Sequence, residues 1–119
     1  MALLRSFSYA FAGVAHLLRT QRNFRVEAAI GALAVLAGLW SRFERWEWAI
    51  LVLTIALVLI LEAVNTALED AVTLASPSVQ PRAKSAKDVA AAAVLVAAVA
   101  SVAIGLLLFL PRLTSVIGG

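Results

Sequence analysis

The chain has no cysteine and a single histidine, His16, among its 119 residues. The first absence excludes disulfides, iron–sulfur clusters and thiolate metal sites, and the second argues against a histidine-built zinc centre. Charge is scarce as well, at 14% of residues, where a soluble domain carries about 25%. Neither a P-loop nor a kinase-type glycine-rich loop occurs, so phosphate chemistry would need another scaffold. No internal repeat is present, and low complexity is confined to the alanine-rich last third. Arg5, His16 and Arg19 interrupt Met1–Gln21, which leaves it without the uncharged core of a secretory leader, and no cleaved leader is expected there.

What is abundant is apolar surface. Hydrophobic residues make up 63% of the chain and the mean hydropathy is +0.98, against about 45–50% apolar residues in soluble proteins. The length suits one domain. The chain therefore reads as an all-α integral membrane protein.

Taken in order, residues 3–20 alternate apolar and polar positions, with Leu4, Phe7, Phe11, Val14 and Leu18 at helical spacing. They predict an amphipathic helix lying on the membrane surface. Arg19, Arg22 and Arg25 follow, as an anchor to anionic headgroups or as a phosphate-binding cluster. A first span is expected over residues 23–41, taking Glu27 into or near the membrane. The segment 41–47 reads as a tight turn bracketed by Trp40, Trp46 and Trp48, an interfacial aromatic belt. A second span covers 48–74, a loop with Pro77 and Pro81 follows, and a third span over 85–110 ends at Pro111 and Arg112, with 113–119 as a short tail. Arg5, Arg19, Arg22, Arg25, Arg82, Lys84 and Lys87 share one side, and Arg42, Arg45 and Arg112 the other. The positive-inside rule puts the larger group and the N-terminus in the cytoplasm.

The polar residues of the second span form one pattern. With about 100° per helical residue, Glu62, Asn65 and Glu69 fall on one stripe, with Thr66 and Thr73 beside them. Ionised groups inside a bilayer cost about 2.5–3.5 kcal/mol or more, so such a stripe points to a functional site. A carboxylate at headgroup depth can take a proton from a lipid hydroxyl. A second one, further out, can hold Mg²⁺ bridging ATP phosphates, since magnesium needs only one or two protein carboxylates when phosphates and waters complete its shell. Nearby cations would then steady the transferred phosphoryl group. Two other readings compete. Asn, Thr and Glu also join helices in non-catalytic oligomers or accessory subunits, and a transporter is the third, although three spans leave little room for a translocation path.

Glu62-Ala-Val-Asn65-Thr66-Ala-Leu-Glu69, followed by Ala86-Lys87-Asp88-Val-Ala-Ala-Ala-Ala-Val-Leu, resembles the prokaryotic diacylglycerol kinase/undecaprenol kinase family over nearly the whole chain. The resemblance implies a homotrimer of three-span subunits in the bacterial inner membrane, with active sites shared between neighbours and no nucleic-acid partner. It implies transfer of the γ-phosphate of ATP, with Mg²⁺, to a membrane lipid alcohol. Glu62 matches the general base, Asn65 the active-site asparagine and Glu69 a metal-ligand glutamate. Lys87 matches the phosphate-contacting lysine and Asp88 its active-site neighbour, while Arg25 and Tyr9 align with nucleotide-contacting positions. Two positions depart from the pattern. Gln21 stands where a second metal-ligand glutamate is frequent, which makes Glu27 the substitute candidate. Thr73 replaces an aspartate four residues after the motif glutamate.

Overall fold

A computed structural model describes the backbone of residues 1–118 and the side chains of residues 1–115. Four helices follow one another: α1 (Ala2–Thr20), α2 (Arg22–Trp40), α3 (Arg45–Ala75) and α4 (Pro81–Gly118), with no strand among the described residues. α2, α3 and α4 are each long and apolar enough to cross a membrane. The expected class is what is observed: an all-α, multi-pass membrane protein with one additional N-terminal helix.

α1 stands apart from the bundle. Its apolar stripe of Leu4, Phe7, Phe11, Val14 and Leu18 is exposed, as suits a helix lying on a bilayer rather than on protein. Gln21 adopts an extended conformation and turns the chain into α2. The Arg25 guanidinium reaches back across this corner, donating from Nη1 to the carbonyls of Leu18 at 2.9 Å and Arg19 at 3.2 Å. A cation there satisfies carbonyls left open at the helix end and complements its partial negative charge.

The turn after α2 is tighter than the segment 41–47 suggested. Phe43 N–H bonds to the Gly38 carbonyl at 3.1 Å and Arg42 N–H to that of Leu39 at 3.3 Å, the paired bonds of a Schellman motif. That motif needs a left-handed residue just past the helix, and Arg42 supplies it with φ 57. The Glu44 and Glu47 side chains then form a reciprocal capping box that starts α3 at Arg45, three residues ahead of the expected start.

α4 departs further from expectation at both ends. It begins at Pro81, a residue suited to the first helical position because no N–H is required there. It also runs through Pro111, where a stop was expected; Gly119 lies outside the described residues. Proline removes one backbone donor, and Arg112 holds the continuing segment in place. Its Nη1 donates to the carbonyls of Ser41 at 2.8 Å and Arg42 at 3.3 Å, and its Nη2 pairs with Glu47. The Arg112 guanidinium also lies 5.7 Å from the centre of the Phe43 ring. Phe43 packs in turn on Trp48 and Phe109, at 5.6 and 4.9 Å between ring centres.

α3 is the central helix, with α4 and α2 packed against it. Its buried residues are Glu47, Leu51, Val58, Glu62 and Thr66, spaced by four and seven along one stripe. Small residues let the neighbours close in, as is usual between helices in membranes. Gly31 and Gly38 are buried on α2, and Ala90 and Ala97 on α4. A Cβ at Gly31 would come within 2.9 Å of Ile55 Cγ2. At 31 residues, α3 is about 46 Å long, against about 30 Å of hydrocarbon. A span of α3 therefore stands beyond the apolar layer.

Candidate active site

The stripe expected on α3 forms, and it grades from buried to open. Glu62 is 6% exposed and Thr66 is buried beside it, whereas Glu69 and Asp70 face outward. Thr66 Oγ1 donates to the backbone carbonyl of Glu62 at 3.0 Å, a bond within one helical turn that leaves the Glu62 carboxylate free of it. Asn65 Nδ2 donates to Glu69 Oε1 at 3.2 Å, so the carboxamide and the outer carboxylate act as one unit. Asn65 Oδ1 is buried without a hydrogen-bond partner among the described residues. A buried acceptor left open loses roughly 1–3 kcal/mol of solvation, and a hydroxyl or water donor arriving there would recover it.

Glu27 is the acid that α2 brings to this stripe. It is half-buried, and it and Glu69 are the two carboxylates whose charges act on Glu62. Below Glu27, a cavity of about 250 Å³ runs between α2, α3 and α4 past Gly31, Val58 and Gly105 towards Phe109. Its wall is apolar apart from Glu27, Thr54 and Ser101.

The second motif arrives on α4. Lys87 Nζ donates to Thr73 Oγ1 at 2.8 Å, which carries its ammonium across to α3, one turn beyond Glu69. Asp88 is turned away from that contact and pairs with Lys84 at 2.7 Å, with both side chains exposed. Lys84, Lys87, Thr73, Ser76 and Ser78 line a second cavity of about 250 Å³ at the open end of the bundle. Ser76 Oγ donates to the Ser78 carbonyl at 3.0 Å and shapes its rim. Of the N-terminal candidates, Arg25 is occupied by the end of α1. Tyr9 is 71% exposed on α1.

Among the described residues, no three carboxylate or imidazole groups gather into a metal cage. The donors present suit a different use. Glu69 on α3 and Glu27 on α2 are both near enough for their charges to act on Glu62, and one or two carboxylates are what magnesium takes when phosphates and waters fill its other positions. The Ser76–Ser78 segment and Lys84 were legible only as a loop and as part of a basic cluster. The lysine spacing was the available signal, since Lys84 and Lys87 are three apart and share a helix face.

These parts define a small polytopic membrane protein with a buried acid near one end and a lysine-lined cavity beside it. The chain belongs to the prokaryotic diacylglycerol kinase family, whose model matches residues 8–109. It is similar to a diacylglycerol kinase of Synechocystis sp., with 48% identity over 114 residues that make up 95% of this chain and 65% of the relative. It is also similar to an undecaprenol kinase of Bacillus subtilis, with 43% identity over 109 residues, 92% of this chain and 89% of the relative. The chain thus spans slightly under two thirds of the length of the Synechocystis protein.

Proposed function

We propose that the protein is a lipid kinase that moves the γ-phosphate of ATP onto the hydroxyl of a membrane lipid alcohol, undecaprenol or a diacylglycerol. The observation that carries this reading is the position of Glu62, a buried carboxylate beside the open acceptor of Asn65, with Lys87 brought to the same end of α3. Family membership and the two names borne by its relatives support it.

In this reading the lipid hydroxyl enters beside Glu62, and its chain follows the apolar cavity below Glu27. Asn65 Oδ1 accepts from the hydroxyl and orients it. Glu62 takes the proton as the alcohol oxygen forms its bond to the γ-phosphorus, the bond from γ-phosphorus to the β,γ-bridging oxygen breaks, and ADP leaves. Lys87 holds the phosphate chain, and Asp88 keeps Lys84 at the cavity rim. Glu69 and Glu27 are the residues that would hold Mg²⁺, which when bound offsets the phosphate charge. By the family resemblance Arg25 and Tyr9 would contact the nucleotide from the N-terminal side; Arg25 also keeps α1 against α2.

The protein works as a homotrimer in this reading, in the bacterial inner membrane with the N-terminus in the cytoplasm, where ATP is present. The unequal distribution of Arg and Lys supports that orientation. Cysteine placed at Glu44 should react with an impermeant reagent in intact cells and cysteine at Lys84 should not; the reverse pattern would remove the ATP argument.

Detergent-solubilised protein with radiolabelled ATP, Mg²⁺ and a panel of undecaprenol and diacylglycerol tests the activity itself. A labelled lipid is expected. If no lipid is labelled and Glu69→Gln dissociates the oligomer, the stripe joins helices in a non-catalytic assembly instead.

A further inference from the structure

The end of the bundle opposite Glu62 carries an excess of positive charge, with Arg42, Arg45 and Arg112 set against Glu44 and Glu47. Glu47 pairs with Arg112. The Glu44 carboxylate is taken up by the start of α3 and by the Trp46 indole, which donates to it at 2.8 Å. Arg42 is exposed and makes no ion pair among the described residues. Its backbone is left-handed, with φ 57, at the position past a helix end where glycine is favoured because a Cβ is strained there. The turn itself needs no side chain at that position, so an arginine held there against strain points to a use for the guanidinium.

That guanidinium lines a cavity of about 250 Å³ together with Trp40, Ser41, Arg112 and Ser115. No carboxylate among the described residues lines it. A guanidinium presents a planar fork of donors that fits the oxygens of a phosphate, and the Ser41 and Ser115 hydroxyls can donate as well. Trp40 closes α2 and is exposed, as suits a residue at headgroup depth. Leu33 and Leu36 are exposed too and continue from Trp40 along one face of α2 into the apolar layer. A polar pocket above an apolar track matches a phospholipid better than a free anion.

We propose that this cavity binds the phosphate of an anionic phospholipid, with Arg42 as the pairing guanidinium and the Leu33–Leu36–Trp40 face of α2 as the seat of an acyl chain. The lipid belongs to the leaflet opposite the end of α3 that carries Glu69. The site is therefore separate from the proposed phosphoryl transfer and does not depend on it.

The test uses the full chain carrying Trp46→Phe and Trp48→Phe, which leaves Trp40 as the sole tryptophan and its fluorescence as a reporter at the cavity wall. In phosphatidylcholine bilayers, quenching by brominated phosphatidylglycerol is compared with quenching by brominated phosphatidylcholine. The anionic lipid should be favoured about fivefold at Trp40. In Arg42→Gly and Arg42→Gln the ratio should fall to about one, whereas Arg42→Lys should keep roughly half of it or more. Arg42→Gly should unfold in detergent at the parent temperature or higher, because glycine relaxes the turn, which separates lost binding from lost fold. A ratio near one with Arg42 in place, or a preference that survives Arg42→Gly, would overturn the site. Relief of the quenching by millimolar inorganic phosphate would make the cavity a site for free phosphate and overturn the lipid assignment.

Discussion

The two ends of the helix bundle use their charges for different purposes. At the end formed by residues 41–47 and 109–115, each buried charge is consumed. Glu47 is 3% exposed, and it accepts from the Glu44 N–H at 2.9 Å and from Arg112. Arg112 spends its remaining contacts on the Ser41 and Arg42 carbonyls and the Phe43 ring. At the opposite end Glu62 is just as buried, yet no side chain among the described residues donates to its carboxylate, and Asn65 keeps an open acceptor. Burial alone therefore does not mark a site. Burial combined with unspent hydrogen-bonding capacity is what distinguishes the proposed one.

Four single substitutions and one double variant would break or sharpen this contrast. The largest effect is expected at the open end. Glu62→Gln keeps the size and some hydrogen bonding of the side chain but removes its basicity, and turnover should fall by about 10²-fold or more. The assembled protein should remain intact by gel filtration. Turnover within a few-fold of the parent would remove Glu62 as the base.

At the closed end the loss should be in stability rather than chemistry. Arg112→Ala strands the Glu47 carboxylate, and leaving one partner of a buried pair uncompensated costs about 3 kcal/mol. Denaturant titration in detergent should register that loss, while turnover per folded molecule stays near the parent value. Replacing Arg112 and Glu47 together by leucine should recover most of the stability, because the pair is balanced only as a pair. An equally large drop in turnover per folded molecule would mean that the two ends are coupled.

A smaller effect is expected between the ends. Gly31→Ala puts a methyl group where Ile55 Cγ2 already stands at 2.9 Å, and overpacking of this kind costs about 1–3 kcal/mol. The same change narrows the cavity below Glu27, which Gly31 lines. KM for the lipid should therefore rise while KM for ATP does not. The smallest change is expected for Lys84→Gln, which releases an exposed pair on the surface of α4. Exposed pairs add little to stability, so the unfolding temperature should be unchanged and KM for ATP should rise only a few-fold.

The helical order, the unpartnered surface helix and the acid–amide stripe were all readable from periodicity, because each is a repeat of three or four residues along a single helix. The Lys84–Asp88 pair lies within the same range. What periodicity could not supply was contact between distant segments. Lys87 meets Thr73 across 14 residues, and Arg112 meets Ser41 across 71; nothing in the local pattern of either residue names its partner. The start of α3 was missed for another reason. Glu44 and Glu47 carry the spacing of a capping box, but two acids beside tryptophans read more simply as a charged turn. The end of α4 was misjudged because proline normally stops a helix, and the anchor that keeps it going lies on another helix.

The length of α3 bears on how the two reactants of the proposed reaction, which do not mix, would meet. One is soluble only in oil and the other only in water, and neither crosses into the phase of the other at low cost. A helix longer than the hydrocarbon layer presents a buried carboxylate to the first and, two turns further on, an exposed carboxylate to the second. In the proposed reaction each reactant stays in its own phase, and the rigid rod between them sets how far apart they stand. Supply of the lipid then depends on diffusion in two dimensions, and supply of the nucleotide on diffusion in three.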